Sequence, residues 1–138
     1  MQTNVSTAVQ EDIHAALVKW IEAVEGRELD SLPEVVAQDN DLVWIGADTN
    51  DWITGFAELQ KAMQAQNEAL HDTRITVSDE AIHSYLETNL AWATNRWVFR
   101  ARAGEQDIEL LLRCTWVLEK RASGWRIVHF HKSVGMSG

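Results

Sequence analysis

The spacing of apolar positions divides the chain into a helical first part and an extended second part. Apolar side chains recur at three- and four-residue steps across residues 9–24, which predicts an amphipathic helix. Thr7 and Gln10 can form a capping box at its start, and Gly26 follows its last apolar position. The chain is therefore predicted to open with a helix that buries one face.

Shorter elements are predicted between this helix and residue 70. Residues 31–37 are predicted to form a short helix with Pro33 in its first turn, where a missing N–H has no partner to lose. The apolar run 42–46 is bounded by turn-forming residues and predicts a strand. Helical spacing returns over residues 56–70 after a polar loop, which predicts a third helix.

Apolar and polar side chains then alternate with a period of two over four long segments. These segments are 73–86, 89–102, 106–120 and 124–134, and short turn sequences separate them. Such a pattern predicts antiparallel strands joined by hairpins. Helices followed by a meander of strands predict an α+β fold with the helices on one face of the sheet. A length of 138 residues suits one domain, predicted here to span residues 1–138.

The charge balance argues against nucleic acid as a partner, and the lack of long apolar stretches argues against a membrane. Acidic residues number 21 and basic residues 12, for a net charge of −9, and no basic stripe is dense enough to attract a phosphate backbone. No apolar stretch approaches the roughly 20 residues that cross a bilayer. Because the start of the chain, at residues 1–4, has no basic and hydrophobic export signal, a cytoplasmic location is expected.

Tryptophan is the most unusual feature of the composition. The chain has 7 Trp, 3 Phe and 1 Tyr. Indole rings bury large areas and carry one N–H each, so most of them are predicted to anchor the core or an interface. The single cysteine, Cys114, has apolar neighbours and is predicted to be a buried, unreactive thiol.

The end of the chain resembles the SnoaL-like members of the NTF2-like superfamily. The resemblance is carried by residues 113–120, a turn, and residues 124–133, which read Gly-Trp-Arg-Ile-Val-His-Phe-His-Lys-Ser. This ending is also similar to the last strand of the association domain of calcium/calmodulin-dependent kinase II. The order of the elements agrees with the superfamily from the first helix through Trp44-Ile45-Gly46 to the last strand.

The resemblance implies an NTF2-like, or cystatin-like, cone. In this fold a strongly curved antiparallel sheet wraps around the first helix, with an opening at one end and an outer face available for a homodimer. The sequence agrees, since Leu110, Leu111 and Leu112, and Trp116 beside Val117, place apolar side chains on both faces of a strand. A homodimer through the outer sheet face is therefore expected.

Relatives of the ketosteroid isomerase type use a tyrosine in the first helix and a carboxylate base on the strand after the second helix. In this chain the tyrosine position falls on Trp20 and the base position on Trp44 or Ile45, and neither Trp44 nor Ile45 can accept a proton from carbon. Asp41 and Asp48 lie nearby and would reach the base position only through a shifted loop. The isomerase mechanism is therefore not predicted, and the catalytic residues stay unassigned.

Two groupings of metal-ligating residue types are interpreted as structural. Residues 48–51 resemble an oxygen-ligand loop but lack the glycine and distal glutamate of a calcium site. His129 and His131 lie two residues apart on one face of a strand, a spacing that can bind zinc if His83 or an acid supplies a third ligand. A surface turn and interface histidines are the simpler explanations, so neither a metal nor a cofactor is predicted.

Cationic side chains within apolar strands are the strongest candidates for binding. A buried cation without a partner costs several kcal/mol, so a strand that points one inward needs an acid, a carbonyl or an anionic ligand. The resemblance to the kinase association domain implies arginines that hold a small carboxylate inside the cone. It matches Arg96 and Lys132 to two such positions and Thr115 to a third, with Arg113 on the same face as Thr115.

Cross-strand ion pairs are the alternative explanation of Arg96, Arg113 and Lys132, and each exposed pair is worth under about 1 kcal/mol. The acids available for such pairs are Glu109, Glu119 and Asp107.

The sequence thus predicts a small-molecule-binding or accessory domain with a pocket suited to a small carboxylate. A cofactor-independent enzyme of the polyketide cyclase, dehydratase or ketosteroid isomerase kind is one alternative, and an oligomeric assembly module is another. The predicted pocket residues combine indole walls with polar groups, and they are Trp20, Trp44, Trp92, Arg96, Trp97, Arg113, Thr115 and Lys132.

Overall fold

The computed structural model describes residues 6–84 and 88–136. Its first half contains helix α1 (Thr7–Gly26), a 3-10 helix (Leu29–Glu34), strands β1 (Val43–Ile45) and β2 (Trp52–Thr54), and helix α2 (Phe56–Ala69). The long strands are β3 (His71–Ser84), β4 (Leu90–Ala103), β5 (Gln106–Arg121) and β6 (Gly124–Val134). The predicted α+β class is confirmed, since helices precede a meander of long strands.

All the strands belong to one sheet with the order β2-β1-β6-β5-β4-β3. Helix α1 packs against both the edge strand β3 and the more central β6, so the sheet curves around it. The neighbouring strands are antiparallel except for β1 and β6, which run parallel. This corrects the prediction of a wholly antiparallel sheet. The parallel pairing with β6 extends to the segment before β1, where Val36 forms an isolated parallel bridge with Ile127.

Alternation along the strands gives the sheet an inner face, packed on α1, and an outer face. On β4 the buried positions include Ala93, Trp97 and Phe99, and on β5 they include Leu112 and Trp116. The residues between them point to the opposite face. The hydrophobic core therefore lies between the inner face and the helices.

The first helix is capped differently from the prediction. Ser6 is the N-cap, with an extended backbone, and its side chain accepts a hydrogen bond from the N–H of Val9. Thr7 is already helical, so it cannot form the predicted capping box with Gln10. At the other end Arg27 adopts a left-handed conformation with φ of 59°, and its guanidinium donates to the carbonyl oxygens of two residues at the end of α2.

Backbone pairing explains why the second helix is shorter than predicted. The predicted helix 31–37 is a 3-10 helix that ends at Glu34. The carbonyl of Val35 and the N–H of Ala37 instead bond to Ile127 of β6. Strand β2 was predicted as part of a polar loop, and it exists through its antiparallel pairing with β1.

The predicted long strands are confirmed to within a few residues. The predicted strand 73–86 is confirmed over its described part, whereas residues 85–87 and the chain start 1–4 lie outside the described residues. Irregular pairing interrupts two of these strands. On β3 the register shifts between Ser78 and Ala81, and on β6 one extra residue, Val128, stands between the positions that pair with β5. Such bulges change which face the following side chains occupy.

Candidate functional site

Aromatic rings fill the inner face beside α1. We call this group the aromatic cluster, and its members are Trp20, Trp44, Trp97, Trp116 and Phe130. Their ring centroids lie between 4.2 and 6.3 Å apart in the contacts that join them. Three of the predicted pocket residues, Trp20, Trp44 and Trp97, meet here. Trp116 and Phe130 were not among the predicted pocket residues, although Trp116 follows the alternation of β5 that also buries Cys114.

The indole N–H groups of this cluster are not equally satisfied. Trp116 Nε1 donates to Asn95 Oδ1 over 3.2 Å. The Nε1 atoms of Trp20 and Trp97 are buried and have no acceptor among the described residues. A third such indole, Trp125, lines a depression together with Ala16 of α1 and Val35. An unsatisfied buried donor costs about 1–3 kcal/mol, so Trp20 and Trp97 would gain from an acceptor in the interior.

Lys132 is the cation that β6 turns inward. It lies opposite Cys114 in the register, and its Nζ is 6.0 Å from the centroid of the Phe99 ring. Burial is the main influence on the pKa of Lys132 and lowers it, while Cys114 and Asp51 act in the opposite direction. No carboxylate of the described residues forms an ion pair with it. Lys132 is thus a half-buried cation without an adjacent counter-ion.

The neighbouring thiol, Cys114, is buried opposite Lys132. Burial raises the pKa of Cys114 to about 12, against a smaller opposing influence of Lys132. A buried thiol that stays protonated is a poor nucleophile. The prediction of a buried Cys114 is confirmed.

The other predicted pocket residues lie on the outer face. Trp92, Arg96, Arg113 and Thr115 occupy the strand positions between the buried ones, so they point away from the aromatic cluster. The resemblance implied an Arg96 inside the cone together with Lys132, and the alternation of β4 places it on the opposite side of the sheet instead. The predicted residues therefore form two separate groups, one on each face.

Arg96, Arg113 and Thr115 line a depression of about 400 Å³ on the outer face. Its other lining residues are Asp79, Thr94, Asn95, Cys114, His131 and Ser133. Arg96 Nε lies 3.3 Å from Asp79 Oδ2. Arg113 donates from Nε to Ser133 Oγ over 3.2 Å and from Nη2 to the carbonyl oxygen of Val134 over 3.4 Å. We call this site the outer depression.

The predicted acids do form ion pairs, but with other arginines. Glu109 pairs with Arg100, Asp107 with Arg102, and Glu119 with Arg121. The proposed pairs between these acids and Arg96, Arg113 or Lys132 are therefore not formed. Arg121 also binds both carboxylate oxygens of Asp39, at 2.7 and 2.6 Å, and these hydrogen bonds lower the pKa of Asp39.

The histidines and the loop at 48–51 occupy separate places. His129 Nδ1 lies 2.8 Å from the carbonyl oxygen of Val43, His131 lines the outer depression, and His83 stacks on Trp92. Within the described ranges no group of three His, Cys, Asp or Glu side chains could hold a metal ion. The loop is closed by backbone bonds between Gly46 and Asp51 and between residues 48 and 51, as a turn would be.

A polar chain that the sequence analysis missed runs from α1 to the aromatic cluster. His14 Nδ1 contacts Glu80 Oε2, Asn95 Nδ2 donates to Glu80 Oε1 over 3.5 Å, and Asn95 Oδ1 accepts from Trp116. The bulge in β3 makes this possible. Asp79 takes a left-handed conformation with φ of 54°, so Asp79 reaches the outer face while the next residue, Glu80, turns inward.

The helices of the described residues are all too short or too polar to cross a membrane.

The sequence profile of the SnoaL-like domain matches residues 13–137. No curated protein matches the chain. Among solved structures, the chain is similar to an NTF2-like superfamily protein from Salmonella enterica serovar Typhimurium, with a TM-score of 0.87 and 19% identity over 96% of this chain and 95% of that one. It is also similar to a candidate dehydratase of the NTF2-like family from Streptomyces avermitilis, with a TM-score of 0.85 and 13% identity over 96% and 100%.

A further similar structure is a protein with a cystatin-like fold from Caulobacter vibrioides, with a TM-score of 0.77 and 14% identity over 92% of this chain and 89% of that one. At these identities the likeness establishes the fold. The NTF2-like, cystatin-like fold that the resemblance implied is thus confirmed.

Proposed function

Since the chain belongs to the SnoaL-like domain family, we propose that it is a small-molecule-binding domain and that its ligand is a small carboxylate with an apolar body. The carboxylate binds Lys132 on the inner face, and the apolar body lies against Phe99 and the edge of the aromatic cluster. The single observation that carries this proposal is the half-buried ammonium of Lys132, which has no carboxylate within ion-pair distance among the described residues.

Energetics favour a bound anion at this position. Partial burial of a cation without a counter-ion destabilises the folded protein, because part of its hydration is lost. The face of Phe99, at 6.0 Å from Lys132 Nζ, offsets about 0.5–1 kcal/mol of that. Asp51 is exposed and acts on Lys132 only at longer range, so it is a weak substitute for a carboxylate in direct contact.

The indole groups support a ligand that accepts hydrogen bonds. Trp20 and Trp97 each present a buried N–H without an acceptor on the same side of the sheet as Lys132. A carboxylate or carbonyl oxygen can accept from such a donor, and the rings around it exclude water, which strengthens the interaction. An anion with an aromatic or aliphatic body fits this combination better than a purely hydrophilic one.

Thermal unfolding with benzoate tests this proposal. Benzoate at ten times its dissociation constant should raise the Tm by about 4 °C, because a ligand that binds only the native state stabilises it. Benzyl alcohol has a similar ring without the carboxylate and should produce no comparable shift. Lys132→Met should abolish the benzoate shift, whereas Lys61→Met, on the exposed side of α2, should preserve it.

Two results would contradict the proposal. One is the absence of a benzoate shift in the unmodified protein, and the other is an equal shift in Lys132→Met. Arg96→Ala serves as a second control, because Arg96 points to the outer face and its removal should leave benzoate binding intact.

Isomerase-type catalysis has less support. The tyrosine position falls on Trp20 and the base position on Trp44 or Ile45, and the rings of Trp20 and Trp44 lie 4.7 Å apart in the core. Asp41 and Asp48, which would need a shifted loop to reach the base position, are both exposed. We therefore favour binding over the enzymatic alternative.

A homodimer through the outer face is the second part of the proposal. Leu111 is 66% exposed in the middle of this face and lies opposite Val98 of β4. Exposed apolar side chains that neighbour one another are typical of interaction surfaces. Sedimentation velocity, which measures the oligomeric state in solution, tests this part separately from ligand binding.

A further inference from the structure

Two arginines face each other across the outer depression. Arg96 of β4 and Arg113 of β5 are direct partners in the strand register, and both point to the outer face. Like charges directly opposite one another on a sheet destabilise the pairing of the strands. The sheet therefore tolerates at this place an arrangement that becomes favourable when an anion lies between the guanidinium groups.

The nearby carboxylates satisfy every outer-face arginine of this region except Arg113. Arg96 pairs with Asp79, Arg100 with Glu109 and Arg102 with Asp107. Arg113 donates only to neutral acceptors. Among the residues that line the outer depression, Asp79 is the only carboxylate against two arginines. The depression is thus locally cationic in a chain whose net charge is −9.

Hydroxyl and imidazole side chains lie beside the two arginines in the outer depression. In the register, Thr94 of β4 lies opposite Thr115 of β5, and Thr115 lies opposite His131 of β6. These side chains line the same depression as the arginines and have no hydrogen-bond partner within the described part of the chain. They are donors that can complete the coordination of an oxyanion.

We propose that the outer depression is an oxyanion-binding site, separate from the ligand site at Lys132, and that Arg113 is its principal contact. The planar guanidinium matches a phosphate or carboxylate group with two parallel hydrogen bonds. Ser133 and Val134 already hold the guanidinium of Arg113, so little side-chain entropy is lost when the anion binds. Arg96, Thr115 and His131 supply further donors.

Asp79 limits the affinity of this site. Its carboxylate lies 3.3 Å from Arg96, where it competes with an incoming anion and repels it. Asparagine also tolerates the left-handed backbone of this position, where φ is 54°. Asp79→Asn should therefore bind the anion more tightly, a gain that a purely structural role of the two arginines would not produce.

The experiment uses inorganic phosphate as the probe and chloride at equal ionic strength as the reference. Phosphate at ten times its dissociation constant should raise the Tm by about 4 °C relative to chloride. Isothermal titration calorimetry should show about tenfold weaker phosphate binding for Arg113→Met and about fivefold tighter binding for Asp79→Asn. Arg100→Met, which removes an outer-face arginine that already has its own carboxylate, should bind phosphate as the unmodified protein does.

Three outcomes would overturn the proposal: no phosphate-specific shift, an unchanged affinity in Arg113→Met, or an equal loss in Arg100→Met, which would indicate only a general charge effect. Sedimentation velocity on the same variants distinguishes a second source of the oxyanion. If Arg113→Met dissociates a dimer while the unmodified protein ignores phosphate, Arg113 binds an acidic side chain of a second copy, and the site is not one for a free anion.

Discussion

The two faces of the long strands carry different kinds of side chain. On the inner face the side chains are apolar and aromatic, and the rings of the aromatic cluster contact one another around the fully buried Trp116. On the outer face arginines, acids and hydroxyl groups alternate with single apolar residues. The inner face holds the core, and the outer face carries more of the exposed side chains.

Two polar residues of the inner face sharpen this comparison. Asn95 is buried, but its side chain both accepts from Trp116 and donates to Glu80, so its polar atoms are satisfied within the protein. Lys132 has no equivalent partners. A buried polar group with its bonds complete is explained by the fold, whereas one without them needs a further explanation, which the proposed ligand would supply.

The largest expected effect concerns the aromatic cluster. Trp116→Ala should lower the free energy of unfolding by about 3–5 kcal/mol, because it leaves a cavity between several rings and removes the donor to Asn95. Trp92→Ala is the matched control on the outer face, where the ring is half-buried and stacks on His83. Urea denaturation measures both changes. Equal losses for the two variants would contradict a difference between the faces.

An intermediate effect, with a characteristic pH dependence, is expected at Lys132. Burial lowers the pKa of Lys132 from its ordinary value of 10.5, so between the folded pKa and 10.5 the unfolded chain binds more protons and stability rises with pH. Below the folded pKa, the partly buried ammonium is charged in the folded protein. Lys132→Met should therefore stabilise the protein at pH 7 by about 1 kcal/mol.

The advantage of Lys132→Met should shrink as the pH approaches 10.5, because the unmodified lysine then loses its charge in the folded state. Urea denaturation at pH 7 and pH 10 measures this difference, with the exposed Lys61→Met as the control. A destabilised Lys132→Met at pH 7 would mean that the native protein already provides a counter-ion, and the argument for an anionic ligand would fail.

Strand alternation explains which parts of the fold and site could be predicted. The period of two predicted the long strands to within a few residues. It also predicts the face of Arg96, which lies an even number of residues from Arg100 and Arg102 and an odd number from the buried Trp97. Matching Arg96 to a position in a related sequence does not by itself establish which face of the strand its side chain occupies. The outer position of Arg96 on β4 and of Arg113 on β5 was therefore readable from the alternation alone.

The positions of Lys132 and Glu80 could not be read in this way. Each follows a bulge, at Val128 on β6 and at Asp79 on β3, and a bulge shifts the following side chains to the other face. Strand β2 is three residues long and depends on its partner β1, so its sequence carries no periodicity. Features that depend on pairing between distant segments are the ones that sequence patterns leave open.

The smallest expected effect on stability concerns Leu111, a large apolar residue exposed on the outer face. Leu111→Lys should change the free energy of unfolding of the single chain by less than about 0.5 kcal/mol, because the side chain is already 66% exposed. The same substitution should dissociate a dimer held by the outer face, since it places a charge in the apolar contact with a second copy. Sedimentation velocity measures the dissociation. Leu112→Lys changes the next residue, whose side chain is buried on the inner face, and should instead prevent folding. A dimer that survives Leu111→Lys would place the contact between the two copies away from Leu111.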